Sequence, residues 1–221
     1  MQGCAFLRSF SLAALIAGIG LEGATGQAAP NAANATYQIV ADGMCCQGCA
    51  KKVAAQLYTA PGVMNVTADV PNRLVTITAK PSPKLTLEKL WKAVEQAKGK
   101  PSQLTTSDAT YTLIAPDQLK PEEKPPAGVY ALLVADMHDM PRAEKVAGQL
   151  RAVRGIESLN VDLAGGVLLV KPAAKVKLSP WALVAAAQQA EESPVAVTGP
   201  FGRISIEPVT QQAARAALPP R

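Results

Sequence analysis

Three of the four cysteines in this 221-residue chain fall within five positions: Cys45, Cys46 and Cys49, in the stretch ADGMCCQGCAKKV (41–53), with Met44 directly before them. Thiolates are soft ligands and select Cu(I), Zn(II), Hg(II) or Cd(II) over hard cations. Two residues between Cys46 and Cys49, across a turn into a helix, let both sulfurs point at one atom, and Gly48 lets the backbone bend between them. Cys49 is expected in or just before the first helical turn, where unpaired N–H groups and the helix dipole favour a thiolate. Two strong ligands suit Cu(I) in a near-linear arrangement, open to an incoming thiolate. A closed structural zinc site needs four ligands. A C-x-x-C pair also serves thiol–disulfide oxidoreductases, although here the flanks are Met, Cys and Ala instead of the aromatic and proline usual around a thioredoxin-like pair. A third reading is a partner-binding protein whose cysteines stay oxidised.

The elements that must position these sulfurs are legible from periodicity. Tyr37 to Ala41 reads as a short apolar strand. Ala50, Val53, Ala54 and Leu57 recur at i, i+3, i+4 and i+7, one face of a helix. Val66, Ala68 and Val70 alternate with polar residues, as in a half-buried strand. Pro71-Asn72-Arg73 turns into LVTITAK, a further strand. Leu87, Leu90, Trp91 and Val94 form a second helical stripe, with Trp91 expected in the core. Two extended runs, PSQLTT and TYTLI, close the unit. The order is β-α-β-β-α-β with an extra C-terminal strand, which buries both helices on one face of an antiparallel sheet in an α+β sandwich.

Shifting the chain by 93 residues aligns it with itself without gaps, giving 18 identities in the 69 positions from Tyr37 to Thr105. Tyr37 meets Tyr130, Met44 meets Met137, Lys52-Val53-Ala54 meets Lys145-Val146-Ala147, and Pro101 meets Pro194. Such self-similarity implies an internal duplication. Two ferredoxin-like sandwiches are therefore expected, over 36–114 and 129–207. They are joined by a Pro-rich, charged linker at 115–128 and followed by a loose tail at 208–221. Nothing in the linker dictates whether the units touch. The second copy has lost its cysteines: Asp139 stands opposite Cys46 and Arg142 opposite Cys49. Asp139 reads as a helix N-cap and Pro141 as a first-turn residue. Met137, His138 and Met140 form a small soft cluster, a weaker second metal-site candidate.

Strand, GMCCQGC, then helix, within a β-α-β-β-α-β unit, resembles the heavy-metal-associated domain of copper chaperones, copper-transporting P-type ATPases and the periplasmic mercury-binding protein. Gly43, Met44, Cys46 and Cys49 fit the signature G-M-x-C-x-x-C, with Cys45 in the variable position. The resemblance covers residues 36 to about 105, and the second copy more faintly. It implies metal ligation by Cys46 and Cys49, Met44 packed beneath the loop with metal binding as its alternative role, and a metal-donor or metal-acceptor protein as partner. Copper chaperones of this family often carry a lysine near the metal, and Lys98 and Lys100 lie in the matching loop. Cys45 has three readings: a third ligand, a link between two copies, or a spare thiol. Homodimerisation through Cys45 or the second copy is the corresponding partner expectation.

The first 28 residues read as a secretory signal peptide: Arg8, an apolar stretch from Phe10 to Leu21, then small residues with cleavage near Gly26 or Ala28. The alternative is an uncleaved membrane anchor, for which the apolar run is short. Cys4 precedes the apolar stretch and would leave with the signal. A periplasmic or secreted protein with three clustered thiols lacks the distant partners of a disulfide framework. Net charge is +5, but Lys and Arg are scattered, with no basic patch interleaved with aromatics. That disfavours nucleic-acid binding. A binding protein, not an enzyme, is expected, with the thiol–disulfide oxidoreductase as the alternative.

Overall fold

The computed structural model describes residues 34–209. The expected signal segment, and the tail beyond Val209, lie outside them. The elements run β1 (Ala35–Ala41), α1 (Gln47–Leu57), β2 (Val63–Asp69), β3 (Leu74–Ala79), α2 (Leu87–Gln96), β4 (Pro101–Thr105) and β5 (Ala109–Ile114). After a short 3-10 turn at Pro121–Glu123 come β6 (Tyr130–Val134), α3 (Met140–Arg151), β7 (Ile156–Asp162), β8 (Val167–Pro172), α4 (Pro180–Gln189), β9 (Pro194–Gly199) and β10 (Gly202–Pro208). This is the α+β, antiparallel, ferredoxin-like arrangement expected from the sequence. No helix among the described residues is long and apolar enough to cross a membrane.

Local chemistry sets each boundary. Helix α2 starts at Thr86, whose side chain accepts from the Lys89 N–H, so one orphan donor of the first turn is paired. Its apolar stripe, Leu90, Trp91, Ala93 and Val94, is buried. Strand β3 alternates half-buried and buried residues along its length, sending Val75, Ile77 and Ala79 into the core. Strand pairings recur 93 residues apart. Tyr37 opposite Ile77 becomes Tyr130 opposite Val170, and Ala41 opposite Pro101 becomes Val134 opposite Pro194.

The two runs of elements do not stand apart. They share one ten-stranded sheet in the order β2-β3-β1-β4-β5-β10-β9-β6-β8-β7. The extra strand of each run makes the join: β5 and β10 pair antiparallel from Arg203 opposite Ile114 to Pro208 opposite Ala109. Unpaired strand edges invite association, and here each extra strand covers the edge of the other. Helix residues seal the join from one face. The Trp181 ring lies 5.3 Å from that of Trp91 and 5.4 Å from that of Tyr111, the latter edge-on. These separations suit aromatic pairs. Gln188 Nε2 donates to the Tyr111 hydroxyl at 3.2 Å. The segment between β5 and β6 is also tied down, by buried Leu119 and by an Arg203–Glu123 ion pair at 3.3 Å.

A shared sheet and a shared aromatic cluster make the two halves unfold together. Urea denaturation followed by circular dichroism and by Trp fluorescence is expected to give one coincident transition. Trp181→Ala is expected to lower stability by about 3–5 kcal/mol, the usual cost of truncating a buried Trp. Two separated transitions in the unaltered chain would contradict this account.

Candidate metal centre

Strand β1 ends at Ala41 and α1 begins at Gln47, so the sulfurs sit on the turn between strand and helix. Cys46 is the N-cap of α1, with extended backbone angles (φ −155°, ψ 163°), and its Sγ accepts from the Cys49 N–H at 3.3 Å. A sulfur thus takes the place that a Ser or Asp oxygen holds in an ordinary cap. Cys49 lies in the first turn, as the spacing predicts. The Sγ atoms of Cys46 and Cys49 are 2.9 Å apart, and that of Cys45 is 3.9 Å from Cys49. All three are free thiols; Cys45 and Cys46 are exposed and Cys49 is half-buried. Among the described residues, these three form the only group of three or more metal-binding side chains of the His, Cys, Asp and Glu types, with sulfurs all within 4.8 Å of one another.

The pair is electrostatically unequal. The Cys46 thiol is pulled below its ordinary value, chiefly by the Cys49 thiol and then by the Cys49 N–H, which both donate to its sulfur. Cys49 is pushed up, because its own proton serves that bond. The helix-terminus effect expected at Cys49 therefore falls on Cys46. Two sulfurs bound to one ion at about 2.3 Å in a tetrahedral arrangement sit roughly 3.8 Å apart. The pair must open by about 1 Å to chelate, and the exposed Cys46 side chain can do this by rotating.

Below the loop, Met44 is fully buried in the core, which fits a plug under the turn and keeps it apart from the exposed sulfurs. The loop is stitched to the α2–β4 connection by backbone bonds: Gly43 N–H donates to Gly99 O at 2.7 Å, and Asp42 N–H to Lys100 O at 3.0 Å. A side chain at Gly43 would put its Cβ 2.5 Å from the Lys98 carbonyl oxygen, and one at Gly99 would meet Val94 Cγ1 at 2.6 Å. Only glycines permit that approach. The sequence reading singled out the cysteines and did not pair these glycines; their places in two loops flanking the site were the available signal. Lys98 and Lys52 line the same groove, of about 460 Å³, as Cys49. Lys100 is exposed and is not part of that lining.

Residues 39–101 match the family model of the heavy-metal-associated domain. That segment is a heavy-metal-associated domain. The match spans less than a third of the chain and ends before β5. Among solved structures, the N-terminal domain of a potential copper-translocating P-type ATPase from Bacillus subtilis, in its Cu(I)-loaded state, is 23% identical over 34% of this chain and 88% of its own, with a TM-score of 0.29. The water-soluble region of the P-type ATPase CopA of that organism is 12% identical, covering 86% of this chain and 99% of its own, with a TM-score of 0.33. The N-terminal soluble domains of CopA are 14% identical over 73% and 90%, with a TM-score of 0.31. No curated protein matches the chain. With its cysteine cluster, the heavy-metal-associated domain is a metal-binding unit.

The turn at the equivalent place in the second half is built differently. Met137 is fully buried in the core, whereas His138 is exposed and Met140 is 50% exposed. The structure therefore does not gather Met137, His138 and Met140 around one point at the surface. Asp139 caps α3, accepting from the Arg142 N–H at 2.9 Å, with a proline in the first turn. Arg142, opposite Cys49 at the 93-residue offset, reaches across to Glu192, with its Nε donating to both carboxylate oxygens at 3.0 and 3.2 Å. The Glu192 side chain is only 7% exposed. Arg142 also donates to Asp136 O, and Lys145 pairs with Glu191 at 2.9 Å.

Two outcomes follow from these charges. Limited alkylation of the reduced chain at pH 7, read by peptide mass spectrometry, is expected to label Cys46 ahead of Cys49, because the lower thiol is the more ionised at a given pH. Arg142 holds the Glu192 carboxyl below its ordinary value of 4.5. Its contribution to stability is fully present above that value and is lost as pH falls through the depressed one. Glu192→Gln is expected to lower the denaturation midpoint at neutral pH and to flatten its fall on acidification below about 4.5.

Proposed function

We propose that the chain is an exported binding protein, not an enzyme, that carries or buffers a soft thiophilic ion through Cys46 and Cys49, with Cu(I) as its principal cargo. The observation that carries this reading is the Cys46–Cys49 pair, free and 2.9 Å apart at an accessible helix N-terminus. Soft sulfur ligands favour Cu(I) among the biological copper and alkaline-earth ions. A site made of one exposed and one half-buried sulfur at the surface leaves the ion open to attack by a partner's thiolate, which suits transfer between a metal donor and a metal acceptor. Lys98 and Lys52, beside Cys49, offset the negative charge of a bis-thiolate complex. The signal-like first 28 residues support a periplasmic or secreted location.

The asymmetry of the two thiols favours a second reading. An acidic Cys46 next to a protonated Cys49 is also the arrangement of a thiol–disulfide oxidoreductase, in which the first sulfur attacks and the second resolves. Titration of the reduced, metal-free chain with Cu(I) against a competing chelator separates the two. One ion per chain is expected. Binding should be lost in Cys46→Ser and in Cys49→Ser and largely kept in Cys45→Ser. Disulfide reductase turnover without tight Cu(I) binding would select the second reading.

A further inference from the structure

A two-sulfur site leaves Cys45 without a task, yet the fold brings its sulfur to the same place. Neighbouring residues of extended backbone send their side chains to opposite sides, and Cys46 has extended angles. The bend into α1 nonetheless swings the Cys45 Sγ round to 3.9 Å from the Cys49 Sγ. All three sulfurs lie within 4.8 Å of one another, and no other His, Cys, Asp or Glu of the described residues joins them. Three sulfurs at the zinc–sulfur distance of about 2.3 Å from an ion at the centre of their triangle stand roughly 4.0 Å apart, and larger soft ions set them somewhat wider. The Cys45–Cys49 edge is already close to that length, the Cys45–Cys46 edge lies within 4.8 Å, and the 2.9 Å Cys46–Cys49 edge has to widen.

The geometry points to a three-coordinate thiolate mode of this loop, in which Cys45 is the third ligand for a divalent soft cation such as Cd(II) or Hg(II), alongside the two-sulfur mode that carries Cu(I). This rests on the metal-binding reading of the same loop and sharpens its cargo. Charge decides between the ions. Three thiolates around Cu(I) leave two net negative charges, whereas around a divalent ion they leave one. A bound cation is the largest local charge in such a site. The basic groups lining the groove beside Cys49 are Lys52 and Lys98, both exposed, and they suit a single residual charge better than two. Binding displaces the proton of each thiol still protonated, and no electron is transferred. Cu(I) needs only Cys46 and Cys49, so Cys45 acts as the residue that admits divalent ions.

The test uses the full chain and its Cys45→Ser variant, reduced and loaded with one equivalent of Cd(II), Hg(II) or Cu(I) separately. X-ray absorption counts the sulfur neighbours of each ion, and chelator competition gives affinities. In the unaltered chain, three sulfurs around Cd(II) and Hg(II) are expected, and two in the variant. Removing a residue that merely supports a ligand typically costs 10–100-fold in metal affinity, so loss of a ligand itself should weaken Cd(II) binding by at least roughly tenfold. Cu(I) affinity should change less than that. Far-UV circular dichroism checks that the exposed substitution leaves the fold intact. Equal sulfur counts and equal Cd(II) affinity in the two proteins would overturn the proposal while leaving Cu(I) carriage standing. Three sulfurs retained in Cys45→Ser, supplied by a second copy of the chain, would overturn it too. Failure of the unaltered chain to take up any of the three ions would sink this proposal together with the function on which it rests.

Discussion

Everything at the metal centre hangs on a backbone stitch between two loops. Gly43 and Asp42, leaving β1, donate to Gly99 and Lys100, entering β4. A side chain at Gly43 would run into the Lys98 carbonyl, and one at Gly99 into the Val94 side chain. The stitch fixes where the chain turns into α1, and that turn decides which side chains reach the surface. Met44 goes down into the core, and the cysteines stay out. Cys46 then completes the helix start with its own sulfur. If Cys46 is a ligand as proposed, ligand and helix cap are the same atom, and occupancy of the site is then linked to the integrity of the first turn of α1.

The second half shows what becomes of that arrangement without thiols. One backbone bond of the stitch persists, from Ala135 N–H to Ser193 O at 2.9 Å. Where Gly43 and Gly99 approach in the first half, Asp136 and Glu192 stand, and the Arg142 guanidinium spans them. A positive side chain paired with a nearly buried carboxylate occupies the region that thiols hold in the first half. A charge-assisted, bidentate bond of this kind is strong and directional and ties the start of α3 to Glu192. The corresponding turn of the second half is thus closed by an ion pair where the first half holds three free thiols.

Joining the halves through β5 and β10 has a further consequence. A ferredoxin-like unit of four strands ends at β4, whose outer edge would be exposed. The extra strand in each run covers that edge, and the two extra strands then cover one another. The sheet keeps only β2 and β7 as edges. Trp91, Tyr111 and Trp181 meet over the join, placing two Trp and one of the four Tyr of an aromatic-poor chain at the seam. The largest fully buried residues, such as Ile39, Leu57, Leu132 and Leu150, are aliphatic, whereas these three rings gather where the two halves meet.

Local pattern was enough to determine much of this protein. The 3.6 and 2.0 periodicities placed the helices and strands, because burial of one face writes itself directly into residue spacing. The Cys46–Cys49 interval on a strand-to-helix turn identified the candidate ligands, because three residues is one helical turn and brings two side chains to one side. Asp139 was legible as a cap for the same local reason. Other features depend on residues far apart in the sequence, and no spacing encodes them. The Gly43–Gly99 approach, the Arg142–Glu192 clasp and the β5–β10 pairing join positions 50 or more residues distant, so only the folded chain decided them. So it was with the roles of Cys46 and Cys45. Which sulfur caps the helix, and whether an adjacent sulfur swings to the same side, turns on backbone angles that the stitched loop imposes, and those angles are a property of the tertiary structure.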